Sequence, residues 1–386
     1  MSRITSVVLA AAIIGFAASA SAQQPTPTPA PSSQPGPAPM PTTQPAPMPS
    51  PPTQAAPTPT TPSGTMPMPQ QAQQPPPQPA QPPQPAQPPQ PVQPQQAAQP
   101  QRDFSKTVIK TTDLGDSTYM LEGEGGNITV AVGKNAVLMV DSEFAPLHDK
   151  IKAAIEQITK EPIKYLVDTH FHGDHTGGNA LFHQDGAIVV AQVNVRNRLA
   201  AGTTNGLTGA KTPPAASDAL PTLTYNNDLI LKFDGRKALL GHPKNAHTDG
   251  DTYVLFRDAN VLSTGDIFSN GHYPNIDFAN GGNIKGMIAG AQTYMRFAND
   301  KTKIVPGHGE LATKADLAAY LKMLETARDR MVKLVKEGKS EADVIAAKPF
   351  ADLDAKWAVS PQAATNFIRV VYHSLADKPG AKTASQ

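Results

Sequence analysis

Three of the ten histidines fall within six residues, in the string His170-Phe171-His172-Gly173-Asp174-His175, which runs on into Thr176-Gly177-Gly178. Imidazole and carboxylate are good ligands for Zn²⁺ and other first-row divalent ions. Three histidines and an aspartate exceed what one tetrahedral ion takes from a single loop, so the string carries donors for two. In extended backbone His170 and His172 point the same way, while Asp174 and His175 can turn toward a second point. Three later segments each offer a further donor beside turn-forming glycine or proline: Asn245-Ala246-His247-Thr248-Asp249-Gly250, Ser263-Thr264-Gly265-Asp266 and Val305-Pro306-Gly307-His308-Gly309.

Such donors need rigid elements to aim them. The apolar run Ile163–Val167 reads as a short strand ending just before His170, with a helix starting near Gly178. Strand ends of this kind are where α/β folds place active-site residues. Other strand patterns lie at Ser117–Glu122, Asn127–Val132, Ala136–Val140, Ala187–Val190, Leu229–Phe233, Ala238–Leu240, Tyr253–Phe256 and Val261–Leu262. Helical spacing runs over Pro146–Thr159, Asn283–Phe297, Lys314–Lys336 and Pro361–Leu375. Strands and helices interleave, which predicts an α/β (α+β) domain with helices covering both faces of its sheets. The helix Lys314–Lys336 reads as an outer helix packed on a sheet, and Trp357 as a core residue. Ala200–Leu220 reads as a long loop that either lids the site or is a plain surface excursion.

Composition divides the 386-residue chain sharply. Thirty of its 41 prolines lie between Gln23 and Gln101, and no charged residue occurs between Arg3 and Arg102. Met1–Ala22 has a basic start, an apolar stretch from Val7 to Ala18 and the small-x-small end Ala20-Ser21-Ala22. This predicts a signal peptide over 1–22, cleaved after Ala22, and a periplasmic or secreted protein. Residues 23–101 read as a disordered Pro/Gln-rich arm, with a direct repeat at Ala80–Pro85 and Ala86–Pro91. The arm is expected to act as a spacer, with contact to the cell envelope as the sharper alternative. Residues 102–386 are long enough for one large domain. A net charge of +1 argues against nucleic acid as partner. The absence of cysteine excludes disulfides, a thiol nucleophile and thiolate metal ligands. No second apolar run matches the first, so no membrane span is expected in the mature chain.

The strings HFHGDHTGG, NAHTDGD, STGD and VPGHG, in that order, resemble the metallo-β-lactamase superfamily. The resemblance implies an αββα sandwich with a metal cleft at one edge of two sheets. It implies His170, His172 and His247 as ligands of one metal, Asp174, His175 and His308 as ligands of a second, and Asp266 as a bridge between them. The bridging aspartate is similar to that of glyoxalase II-like and lactonase-like members, whereas true β-lactamases usually carry Cys or Ser there. Asp141 resembles the early aspartate that buttresses the histidine loop. Two Zn²⁺ are the implied cofactors, with Fe or Mn accepted by the same ligands.

Chemistry on such a site is hydrolysis of an electrophilic carbonyl by water activated between two metals, with Asp174 orienting that water and carrying its proton. The expected substrate is a small carbonyl compound: a cyclic amide or β-lactam, a lactone or an ester. Alternatives are a glyoxalase II-like thioesterase and a non-catalytic metal-binding envelope module. His272, Tyr273 and Asn275, in the loop after Asp266, are candidates for touching substrate, with ordinary loop packing as the competing reading. His148, His183, His242 and His373 read as structural or surface residues. Asp249 and Asp251 read as turn and hydrogen-bonding groups.

Overall fold

Both faces of the shortest central strands are buried, and that property organises the molecule. A computed structural model describes residues 102–376, so the signal peptide and arm expected over 1–101 lie outside the described residues. The chain first lays down β1 (Lys110–Gly115), β2 (Thr118–Glu122), β3 (Ile128–Val132) and β4 (Val137–Val140), each antiparallel to the last. Helix α1 (His148–Ile158) then crosses over to β5 (Ile163–Val167), which pairs parallel with β4. Two short helices, α2 (Gly173–Thr176) and α3 (Asn179–Gln184), lead to β6 (Ile188–Gln192), and α4 (Val193–Ala201) follows. A small hairpin, β7 (Thr203–Thr204) with β8 (Lys211–Thr212), precedes β9 (Leu223–Tyr225). The first sheet has the order β1-β2-β3-β4-β5-β6-β9.

The second sheet is β10 (Asp228–Phe233), β11 (Arg236–Gly241), β12 (Tyr253–Phe256), β13 (Val261–Ser263) and β14 (Lys303–Val305). It is antiparallel except for the last pair, where α5 (Ile284–Phe297) makes the crossover between parallel β13 and β14. Helices α6 (Lys314–Lys336), α7 (Glu341–Ala347), α8 (Ala351–Trp357) and α9 (Pro361–Ala376) complete the described chain. None of its helices is long and apolar enough to cross a membrane.

Side-chain alternation sorts the core into three layers. On β4, Val137 and Met139 pack with Leu147, Ile151, Ile155 and Phe182 under α1 and α3. Leu138 and Val140 point the other way, onto Leu240, Val254, Phe256 and Val261 of the second sheet. That sheet's far face, with Leu255, Leu262 and Ile304, packs on α5, α6 and α9. The architecture is therefore the αββα sandwich. It corrects the expectation of helices on both faces: each sheet carries helices outside only, and its inner face meets the other sheet.

Element bounds agree closely with the sequence reading. Lys314–Lys336 forms α6 over that whole span, begun by a capping box in which Thr313 and Asp316 satisfy each other's backbone N–H. Its buried side Leu317, Leu324 and Met331 joins the cluster formed with α5 and α9, so it packs chiefly on helices. Trp357 is buried in the same cluster, near the Tyr320 ring. Ala200–Leu220 is not one open loop. It holds the end of α4, the β7–β8 hairpin and a 3₁₀ turn at Ser217–Ala219.

Candidate metal centre

Parallel pairing brings the carboxyl ends of β4 and β5 to one edge of the first sheet, and those of β13 and β14 to the same edge of the second. Strand β12 runs antiparallel to β13, so the loop before it also opens there. Every histidine and aspartate expected to bind metal sits on one of these five ends. Asp141 follows β4, His170 to His175 follow β5, His247 precedes β12, Asp266 follows β13 and His308 follows β14.

Two donor groups result. His170 Nε2, His172 Nδ1, His247 Nε2 and an Asp266 oxygen form one; Asp174, His175 and His308 form the other. Within each group the donor atoms all lie within 4.8 Å of one another. His172 Nδ1 is 2.9 Å from His247 Nε2 and 3.2 Å from His170 Nε2. His175 Nε2 is 3.4 Å from His308 Nε2. Nitrogens at about 2.0–2.1 Å from a shared tetrahedral ion lie about 3.4 Å apart, so a divalent metal fits among these atoms. Asp266 Oδ1 is buried with no hydrogen-bond partner, although His175 Nε2 is 3.2 Å away. Its Oδ2 lies 3.4 Å from His308 Nε2, 3.7 Å from His247 Nε2 and 3.9 Å from His170 Nε2, which places the carboxylate between the two groups.

The outward nitrogens decide which lone pairs point inward. His175 Nδ1 lies 2.8 Å from Asp141 Oδ2, and the Thr169 hydroxyl donates to the same oxygen. That hydroxyl in turn accepts from His170 Nδ1 at 3.0 Å. His247 Nδ1 donates to the Asn275 carbonyl, and His172 Nε2 to Asp277 Oδ2 at 3.0 Å. Asp141 thus stands where the resemblance placed it, under the histidine loop.

Charge differs between the groups. Burial holds His170 well below the usual imidazole value and lowers His247 to about 4, so both stay neutral. Asp266 pushes His308 up to about 10. Burial opposes charge on His175, but Asp266, Asp141 and Asp174 outweigh it and raise its pKa well above the usual value. Burial likewise opposes charge on Asp174 and Asp266; His175 outweighs it at Asp174, and His308 with His175 at Asp266, so both carboxyls remain ionised. Metal-free, the second group is therefore an array of buried opposite charges, while the first is mostly neutral imidazole.

The β2–β3 turn, Gly123-Glu124-Gly125-Gly126-Asn127, pins the second group, and the sequence reading passed over it. Gly126 N–H donates to the Asp174 carbonyl and Asn127 N–H to the Gly307 carbonyl. Asn127 Nδ2 reaches the carbonyls of Pro306 and Gly309 around His308. The turn itself is held by Glu143, whose buried Oε2 accepts from Glu124 and Gly125 N–H. Burial raises the Glu143 pKa despite those two bonds. A glycine pair between two strands was the only available signal. Gly126 has no room for a side chain: a Cβ there would lie 2.5 Å from both ring nitrogens of His175.

Both groups border an open cavity of about 450 Å³, lined by His172, Gly173, Asp174, Asn205, Asp266, Ser269, His272, Tyr273, Asn275 and His308. His272 sits beside His308, ring centroids 6.4 Å apart, and burial lowers its pKa. Tyr273 borders the cavity, but its hydroxyl donates to Asp354 and its ring stacks on Phe367, so packing accounts for it. Asn275 offers its carbonyl to His247. Asp251 accepts from the backbone of His247 and Thr248, and Asp249 pairs with Arg198, as expected of non-ligands. His148, His183 and His242 are bonded to Asp185, Ala187 O and Asp251 O, and His373 faces Glu341; all four stand apart from the donor groups.

Donor groups able to hold metal, opening together on a polar cavity at the mouth of an αββα sandwich, belong to a metal-dependent hydrolase. The family model described as the metallo-beta-lactamase superfamily matches residues 121–308, a span that runs from β2 to His308 and includes every donor. The chain belongs to that superfamily. Solved structures similar to it include a metallo-beta-lactamase from Pontibacter korlensis, at 18% identity over 56% of this chain and 99% of that one, TM-score 0.47. The DIM-1 metallo-beta-lactamase matches at 18% identity over 57% and 98%, TM-score 0.46. IND-7 matches at 16% identity over 58% and 100%, TM-score 0.46.

Proposed function

We propose that this chain is an exported hydrolase that binds two Zn²⁺ and cleaves a small carbonyl compound: a cyclic amide, a lactone or an ester. The observation that carries the reading is the Asp266 carboxylate, set 3.2 Å from a donor of one group and 3.7 Å from a donor of the other, with a buried oxygen that lacks a hydrogen-bond partner. His170, His172 and His247 would hold one ion, Asp174, His175 and His308 the second, and Asp266 both. When bound, such ions lower the pKa of water to near 7 and polarise a carbonyl oxygen. Asp174, ionised and facing the cavity, orients the attacking water and accepts its proton. His272, on the cavity lining beside His308, contacts the substrate. Export rests on the sequence of Met1–Ala22, and the arm at 23–101 is read as its spacer.

The test uses the full chain, loaded with zinc and compared with a chelated sample and with His175→Ala. Turnover of a chromogenic β-lactam, a lactone and a thioester is followed in parallel. Chelator-sensitive cleavage of one bond type, lost in His175→Ala, is the expected result; preference for the thioester would move the assignment to a glyoxalase II-like enzyme. Zinc uptake without cleavage of any reporter would count against catalysis and for a binding module.

A further inference from the structure

We propose that Asp277 is a positioning residue for His172, aimed by Asn280 and Arg198. The inference rests on the two-metal reading above. His172 differs from the other four donor histidines: it turns Nδ1 toward the cluster, whereas they turn Nε2. An inward Nδ1 lone pair requires the proton to stay on Nε2. The acceptor that holds it there is Asp277 Oδ2, 3.0 Å away and 105 residues later in the chain.

Asp277 is itself fixed from three sides. Its backbone N–H donates to the His247 carbonyl, which ties it to a second donor residue. Asn280 Nδ2 lies 2.9 Å and 2.8 Å from the two carboxylate oxygens and 3.1 Å from the Thr204 carbonyl of β7. Asn280 Oδ1 accepts from Arg198 Nη1, and Arg198 Nη2 pairs with Asp249 at 2.6 Å. Asp249 lies two residues past His247. A continuous polar chain therefore runs from α4 through Asp249 and Asn280 to Asp277 and His172. Its members come from four separate segments, and its inner end sets which nitrogen His172 offers.

The experiment titrates zinc into metal-free full-length protein against a chromophoric chelator, and reads histidine tautomers by ¹⁵N NMR of the metal-free form. Wild type, Asp277→Ala, Asp277→Asn and Asn280→Ala are compared. Outer-partner losses typically cost 10–100-fold in metal affinity, so Asp277→Ala is expected to weaken one of the two zinc sites by about that factor and spare the other. His172 should pass from one tautomer to a mixture. Asp277→Asn keeps an acceptor oxygen and should retain most of the affinity, and Asn280→Ala should fall between. Wild type that binds two zinc ions, with Asp277→Ala unchanged in affinity and tautomer, overturns the proposal alone. Equal weakening of both sites with a lowered melting temperature overturns it too, because that is general structural damage. Wild type that binds no zinc overturns the metal reading itself.

Discussion

Replacing Gly126 by alanine tests how rigidly the β2–β3 turn holds the metal centre. The added Cβ would lie 2.1 Å from Cε1 of His175 and 2.5 Å from its Nδ1 and Nε2, whereas ordinary contact begins at 3.4 Å. The ring or the turn must therefore yield by about 1.3 Å, several times the ~0.2 Å tolerance of a metal–ligand distance. The turn cannot move freely, because the Glu143 carboxylate and the Asp174 and Gly307 carbonyls hold its N–H groups. His175 is equally confined by Asp141. Overpacking of this kind costs about 1–3 kcal/mol in stability, and the displaced donor should weaken the His175 site by at least about tenfold. Gly173→Ala, in the histidine loop itself, is the control: nothing lies within 4 Å of its added Cβ. Zinc titration of the two variants beside wild type, with denaturant unfolding of the metal-free forms, gives both numbers. Two zinc sites of wild-type affinity in Gly126→Ala would refute the argument, as would equal losses in the two variants.

Three further outcomes are expected. In metal-free protein His308 keeps its proton up to about pH 10, above the usual 6.5, so its stabilising effect is complete below about pH 6.5 and disappears as pH rises through about 10. Metal uptake needs that proton gone. Calorimetry from pH 7 to 10 should show the metal-free melting temperature falling while the increment from zinc grows, and a pH-independent increment would contradict this. Asp141→Asn removes the carboxylate shared by Thr169 and His175 and should destabilise the metal-free protein by about 3–5 kcal/mol in urea, as for other broken buried pairs; a loss under 1 kcal/mol would count against it. His272→Ala should lower kcat/KM by about tenfold or more with zinc content unchanged, whereas Tyr273→Phe should cost only about 1 kcal/mol of stability and leave kinetics alone. Reversed effects in steady-state assays would exchange their roles.

The donors were legible because four of them share one short string, and the other three each stand at a strand end beside glycine or proline. Chain-local chemistry of that kind survives without coordinates. Helix α6 was legible for a similar reason: its capping residues and apolar spacing are all local. What escaped depends on approach across the chain. Asp277 acquires its role from a histidine 105 residues earlier, and Glu143 from a turn 18 residues before it. Tyr273 does border the cavity, but the group that takes its hydroxyl, Asp354, lies 81 residues on. Helix α4 escaped because Val193-Asn194-Val195-Arg196-Asn197-Arg198 lacks a clear apolar stripe, and it rests on Phe171 and Ala191 through Val195. Interleaved strands and helices did not reveal that the two sheets face each other. The fully buried β4 and β12 carry that information, since a strand with no wet face must be covered twice.

Each donor group draws from both sheets: His170 and His172 with His247 and Asp266, Asp174 and His175 with His308. The partners are 75 residues apart for His172 and His247 and 133 for His175 and His308. Neither half of the chain can assemble either group alone, and contacts so distant form only after the entropy of closing the intervening loops has been met. Metal capture therefore belongs to the end of folding, after the sheets have docked. An ion held there works as a rivet across the two halves. It slows their separation more than it speeds their meeting, so its chief signature in folding kinetics is a reduced unfolding rate.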